Sequence, residues 1–324
     1  MIELARKIIE GRRLTRDDDL EMFISCDLDE LCRGADMIRR SFSGDHVDLC
    51  TIINGKAGRC SENCAFCAQS AHNRSHCEEY GFLPTGDIVS AAKENEAEGV
   101  DRFAIVTADR RLHGGDFEKA LGAISSLHRE TGLKLCASMG LLTGEQLHRL
   151  HLAGITSIHE NIETSRRNFP NICTTHTYDD KVRIIKAAAN EGLRVCSGGI
   201  IGMGETWADR LDMAVSLAEL GVDSIPLNAL MPIPGTPLAH LPQLSEEEIL
   251  RTVAFFRYID PQADIRMAAG RGLLENSGRR AFESGASAAI TGNMLTTTGS
   301  TIKSDRTMLS SLGRLLKDSG QATA

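Results

Sequence analysis

Asp180-Lys181-Val182-Arg183-Ile184-Ile185-Lys186-Ala187-Ala188-Ala189-Asn190-Glu191-Gly192-Leu193-Arg194-Val195-Cys196-Ser197-Gly198-Gly199-Ile200 reads as a helix, a glycine and a strand. Residues 180–191 carry apolar side chains at helical spacing. Gly192 stands where a helix ends in a left-handed cap, and the β-prone run 194–200 follows. The same helix–glycine–strand unit recurs at Gly99, Gly132, Gly154 and Gly221. Further β-like runs lie at 47–53, 102–107, 134–138, 156–161, 223–230, 264–268 and 287–291. Helical stretches fall at 88–98, 117–130, 145–153, 207–220, 246–258 and 273–284. Strands that alternate with helices pair in parallel, which makes this an α/β chain. Eight such units predict a closed (β/α)8 barrel of the TIM type, with an open doubly wound sheet as the rival. Residues 1–43 read as N-terminal capping helices, 44–300 as the barrel, and 301–324 as a last helix and tail.

Composition narrows the function. The chain has 324 residues, 42% hydrophobic and 25% charged, as a soluble globular protein does, and this excludes a disordered chain or a small disulfide scaffold. A net charge of −8 provides no basic field for nucleic acid or an anionic membrane. No apolar run reaches the roughly 18 residues of a membrane span, and Met1–Lys7 has no signal-peptide core. A cytoplasmic location is expected, where thiols stay reduced, so ten cysteines point to metal.

Three of them share one loop after the first strand: Cys60-Ser61-Glu62-Asn63-Cys64-Ala65-Phe66-Cys67. Soft thiolates at this Cys-x3-Cys-x2-Cys spacing select an iron–sulfur cluster or zinc. A structural site would want a fourth ligand, for which His76 and Cys77 are near in sequence. A cubane on three thiolates would instead keep one iron open and reactive.

The spacing, with Phe66 between the last two cysteines, resembles the radical S-adenosylmethionine (SAM) superfamily. The resemblance implies a 4Fe–4S cluster on Cys60, Cys64 and Cys67. Its open iron would bind SAM, and one electron would release a hydrogen-abstracting 5′-deoxyadenosyl radical. Within the superfamily, residues 40–300 resemble the biotin synthase family. The resemblance is carried by Cys64–Ser70, Asn161–Ser165, Thr174–Tyr178, Val195–Thr206, Asn228, Gly235–Leu238 and Arg266–Arg271. It implies sulfur insertion into dethiobiotin, with the sulfur drawn from an auxiliary iron–sulfur cluster. It further implies a one-electron reductant such as flavodoxin or ferredoxin, iron–sulfur assembly machinery and a homodimer. Phe66, Asn161, Glu163, Gly198 and Gly199 would contact SAM, and Asn228, His159 and His176 the substrate. The glycines would let backbone approach the cofactor closely.

One position departs from the family pattern. The auxiliary ligands would fall at 104, 136, 196 and 266, but Ala104 stands where the family has cysteine. A methyl group holds no iron. Cys50, on the first strand, is the expected replacement, converging with Cys136 and Cys196 from alternate strands of one barrel. The expected cluster is 2Fe–2S with Arg266 as fourth ligand, or a larger four-iron group on three thiolates. Cys26, Cys32, Cys77 and Cys173 have no family role, although Cys77 and Cys173 lie in loops where a spare ligand can sit. The alternatives are another radical SAM barrel enzyme of maturase or mutase type, and a non-catalytic iron–sulfur or zinc protein.

Overall fold

The structure is a computed structural model that describes residues 1–292 and 299–318; the expected end of the tail, 319–324, lies outside the described residues. Three helices come first: α1 (Ile2–Ile9), α2 (Met22–Ser25) and α3 (Leu28–Ser43). The chain then alternates through β1 (Asp48–Lys56), α4 (Thr85–Ala97), β2 (Arg102–Thr107), α5 (Gly114–Glu130), β3 (Lys134–Ser138) and α6 (Gly144–Ala153). It continues with β4 (Ser157–His159), α7 (Phe169–Ile172), α8 (Tyr178–Asn190), β5 (Arg194–Cys196), β6 (Gly199–Ile201) and α9 (Trp207–Leu220). It ends with β7 (Ser224–Ala229), α10 (Glu246–Ile259), β8 (Asp264–Met267), α11 (Arg279–Phe282), β9 (Ala288–Ile290) and α12 (Ile302–Ser311).

The strands form one sheet in the order β5-β4-β3-β2-β1-β9-β8-β7-β6, and β5 also pairs with β7, which closes the ring. Every strand pairing is parallel. Counting β5 and β6 as one interrupted strand gives the eight-stranded barrel, and closure overturns the open-sheet rival.

Local chemistry sets these boundaries. Thr177 with Asp180 and Thr206 with Asp209 form capping boxes that start α8 and α9. Gly99, Gly154, Gly192 and Gly221 take the left-handed conformation expected of helix stops. The fifth expected stop, Gly132, does not, because α5 ends on extended Thr131.

Two expected elements differ. The run 194–200 is not one strand, because pairing breaks at Ser197–Gly198. The helix expected over 273–284 survives only as α11, preceded by two 3-10 turns in which Asn276 and Ser277 adopt positive φ. The N-terminal helices pack on α10: Gly34 lets α3 approach so closely that a Cβ there would lie 1.8 Å from the Tyr258 hydroxyl.

The two faces of the sheet carry different side chains. Large apolar residues such as Phe103, Ile105, Leu135 and Ile265 join the main core with the helices. Alternating with them, Cys50, Ala104, Cys136, Ser157, Ser224 and Arg266 face a cavity of about 290 Å³. An inner face with short side chains leaves room for a ligand where most barrels of this type are filled.

Candidate functional site

The thiol loop leaves β1 and is held in shape by its own backbone. Cys60 N donates to Gln69 O (2.9 Å), Ala71 N to Cys60 O (2.8 Å), and Cys67 N to Cys64 O (3.1 Å). Asn73 Nδ2 donates to the carbonyls of Cys64 (3.2 Å) and Cys67 (2.8 Å), and Gln69 Oε1 accepts from Gly58 N (3.1 Å). Across the barrel, Ala65 N donates to Ile172 O (2.9 Å), and Asn63 Oδ1 accepts from the amides of Thr174 and Thr175 (2.9 and 3.2 Å). Cys60, Cys64 and Cys67 are all half-buried free thiols. Burial pushes the Cys67 thiol up to about 11, so these are neutral thiols that a soft metal must ionise. Cys67 and Phe66 line the barrel cavity, so whatever the loop holds borders that cavity.

Asn161 and Glu163 line the same cavity beyond the end of β4. Glu163 has φ +67°, an uncommon conformation for a side chain of this size, and one that clusters at ligand sites. This twist lets the segment hydrogen-bond along the break between β5 and β6. Glu163 N donates to Gly198 O (3.2 Å), Ile200 N to Glu163 O (2.9 Å), and Gly198 N to Asn161 Oδ1 (3.0 Å). The glycines therefore make room for protein. A Cβ on Gly198 would lie 2.0 Å from Pro226 O, and one on Gly199 2.4 Å from Glu163 O. Behind them Lys181 Nζ, partly buried, meets the buried Glu160 Oε1 at 2.5 Å. Burial pushes the Glu163 carboxyl up, while Lys181 opposes it.

Cys50, Cys136 and Cys196 all face the cavity. Cys50, Ala104 and Cys136 form one buried cluster with Ile52 against it. Ala104 is registered between Ile52 on β1 and Cys136 on β3, so Cys50 reaches the neighbourhood of the missing cysteine from the adjacent strand. Burial pushes Cys136 up to about 11 and raises Cys50 and Cys196 as well.

Arg266 lines the same cavity, but four of its five N–H donors are committed. Nε donates to Ser224 Oγ (3.2 Å), Nη1 to the carbonyls of Asp48 and Ala289 (3.1 Å each), and Nη2 to Asp48 Oδ1 (2.6 Å). Arg102 Nη2 reaches the other Asp48 oxygen at 3.3 Å. Burial alone would raise the Asp48 carboxyl, but the two guanidiniums override it and hold it well below the usual carboxylate range. Asp48 was missed in the sequence, although its signal was there: charged residues within strands, at positions that face inward on β1, β2 and β8.

The expected substrate contacts separate. His159 lines the cavity, and its Nδ1 lies 3.5 Å from Cys196 Sγ; burial favours its neutral form. Asn228 lines it too, but half its amide is spent: Nδ2 donates to Gly199 O (3.1 Å) and Oδ1 accepts from Ala269 N (3.1 Å). His176 is not a cavity residue. It is buried under the thiol loop, with Nδ1 2.5 Å from Glu62 Oε2 and 3.3 Å from Cys173 Sγ.

Three thiols on one loop, a hydrogen-bonded Asn–Glu pair beside them and three more thiols deeper in one barrel define the class, a radical SAM enzyme. Residues 56–217, half of the chain, match the Radical SAM superfamily model, and residues 226–315 match the Biotin and Thiamin Synthesis associated domain. The chain is 58% identical over 313 residues to a biotin synthase of Clostridium beijerinckii, covering 97% of this chain and 99% of that one. It is likewise 58% identical over 311 residues to a biotin synthase of Alkaliphilus metalliredigens, covering 96% and 98%. The chain belongs to the biotin synthase family. Among solved structures it is similar to methylornithine synthase, with TM-score 0.84, 21% identity and 98% of each chain covered. It is also similar to HydG, a maturase of the FeFe-hydrogenase, with TM-score 0.81, 16% identity, and 97% and 74% covered. At those identities the likeness is one of fold. Among the described residues no helix is long and apolar enough to cross a membrane.

Proposed function

We propose that this chain converts dethiobiotin to biotin, inserting sulfur between two saturated carbons. No side-chain acid or base activates such C–H bonds, so the protein must bind, orient and shield a radical source. The observation that carries this reading is that Cys50, Cys136 and Cys196 face the same cavity as Phe66 and Cys67 of the thiol loop.

The donor sets fit the groups that the family uses. Cys60, Cys64 and Cys67 would hold the 4Fe–4S cluster, being three soft ligands on a loop that borders the cavity. Asn161 and Glu163 would hold the SAM ribose, where a carboxylate accepts two hydroxyl hydrogen bonds. Cys50, Cys136 and Cys196 would hold the auxiliary cluster. When bound, these groups supply the hydrogen-abstracting radical and the sulfur.

Arg266 acts in this reading as a fixed cation. A guanidinium whose donors serve Asp48, Ser224 and two carbonyls keeps its proton and has no lone pair for iron. A cluster on three thiolates with a sulfide in the remaining position therefore suits the site better than one ligated by Arg266. His159 and Asn228 keep free capacity toward the substrate.

Family membership also supports a cytoplasmic homodimer, a flavodoxin or ferredoxin as reductant, and iron–sulfur assembly machinery as the source of replacement sulfur. The deciding experiment is anaerobic turnover with SAM, a reductant and dethiobiotin. Biotin or a thiolated intermediate should appear together with 5′-deoxyadenosine. Production of 5′-deoxyadenosine with neither sulfur product would refute the substrate.

A further inference from the structure

Beside the thiol loop lies a second set of metal donors. Among the described residues, one group of three has ligand atoms all within 4.8 Å of one another: Cys64, Cys173 and His176. Cys64 Sγ lies 3.8 Å from Cys173 Sγ, and Cys173 Sγ lies 3.3 Å from His176 Nδ1. With Zn–S bonds of about 2.3 Å and Zn–N bonds of about 2.0 Å, tetrahedral geometry puts two sulfurs about 3.8 Å apart and sulfur and nitrogen about 3.5 Å apart. The observed spacing is thus close to that of a mononuclear site. A cubane's ligands stand on different irons and are spread more widely.

The surroundings suit a cation. Glu62 Oε2 lies 2.5 Å from His176 Nδ1 and accepts from Thr175 Oγ1 at 2.9 Å, which places a carboxylate beside the group. Glu62, Cys173 and His176 are each less than one-tenth exposed. Phe169 closes one side, its ring centroid 5.6 Å from that of His176. The group joins two loops more than 100 residues apart in sequence.

We infer that Cys64, Cys173 and His176 form a three-ligand site for one soft divalent transition-metal ion in the cluster-free chain. Metal ligands must be deprotonated to bind, so uptake of the ion releases protons to solvent. A Cys64 sulfur bound terminally to one ion cannot also hold the cubane, so mononuclear loading and the 4Fe–4S cluster exclude each other. The exclusion rests on the cluster reading; the site itself does not.

The test uses the full-length chain, freed of iron under reductant and titrated with Zn(II) against a chromophoric chelator. Co(II) then reports sulfur ligation through its charge-transfer bands. One zinc per chain is expected in the wild type and in the double variant Cys60→Ser, Cys67→Ser. Cys173→Ser and His176→Gln should each weaken binding by at least about 100-fold, since even changes to groups behind metal ligands cost about 10–100-fold. The inference is overturned if Cys173→Ser keeps the zinc and the double variant loses it. After iron and sulfide loading the wild type should take up no zinc, and undiminished uptake would end the exclusion. If the loaded wild type, reduced with dithionite, lacks the EPR signal of a reduced four-iron cluster, the cluster reading fails and the zinc result stands.

Discussion

Arg266 Nη2 donates to Asp48 Oδ1 at 2.6 Å, and both side chains are buried on the inner face of the barrel. Removing one partner of such a pair strands the other charge in a low-dielectric interior. Asp48→Ala should therefore cost about 3–5 kcal/mol of stability, measured by denaturant unfolding.

The same pair sets a pH response. The Asp48 carboxyl is held well below its unfolded value of about 3.9. Its contribution is thus complete above about pH 4 and is lost as pH falls further through the folded value. The stability gap between wild type and Asp48→Asn should be flat from neutral pH down to about pH 5 and should narrow below about pH 4. A gap that widens on acidification would show the opposite linkage.

Cys50 and Ala104 offer an exchange experiment. Cys50→Ser should lower the iron bound per chain while leaving the thiol-loop cluster in place. Adding Ala104→Cys should restore the lost iron, because that position is registered against Cys136 and belongs to the same buried cluster. Iron and sulfide analysis with Mössbauer spectra decides. Unchanged auxiliary signals in Cys50→Ser would remove Cys50 from the ligand set.

Gly198→Ala tests the break in the fifth strand. The new methyl would lie 2.0 Å from Pro226 O, a backbone atom that cannot rotate away. Loss of at least about 3 kcal/mol is expected, the upper end for overpacking, read as a fall in Tm or in soluble yield.

Glu163→Gln removes the charged acceptor for the ribose. A hydrogen bond to a charged group contributes about 1.5–3 kcal/mol, so SAM affinity should fall about tenfold to a hundredfold. Equilibrium dialysis with cluster-loaded protein measures it, and unaltered affinity would place the ribose elsewhere.

What the sequence disclosed depended on range. The thiol loop was legible because its three cysteines lie within eight residues. The convergence of Cys50, Cys136 and Cys196 was legible because alternation in parallel strands fixes which residues face inward. The interruption after Cys196 was not, since 194–200 is a good β run and the left-handed residue that pairs at the break, Glu163, lies in the loop beyond β4. His176 was read as a substrate contact because it sits in a family segment; its partners Glu62 and Cys173 meet it only after folding. The end of the expected helix 273–284 was obscured by Asn276 and Ser277, which look harmless in a helical pattern yet adopt positive φ.

The ring is joined between β5 and β7 by a single register pair, Cys196 with Ser224, flanked by Ser197 N to Ser224 O and Asp223 N to Val195 O, both 2.9 Å. The seam continues through β6, where Gly199–Ile201 pair with Leu227–Ala229, and its interrupted part runs through a proposed sulfur ligand. Local opening at the interruption breaks only these two bonds, so the amides of Ser197 and Asp223 should take up deuterium before those of Ile200 and Ile201. A cluster anchored to Cys196 would stitch that seam from inside, so deuterium uptake at two backbone positions would report whether the sulfur source is in place or spent.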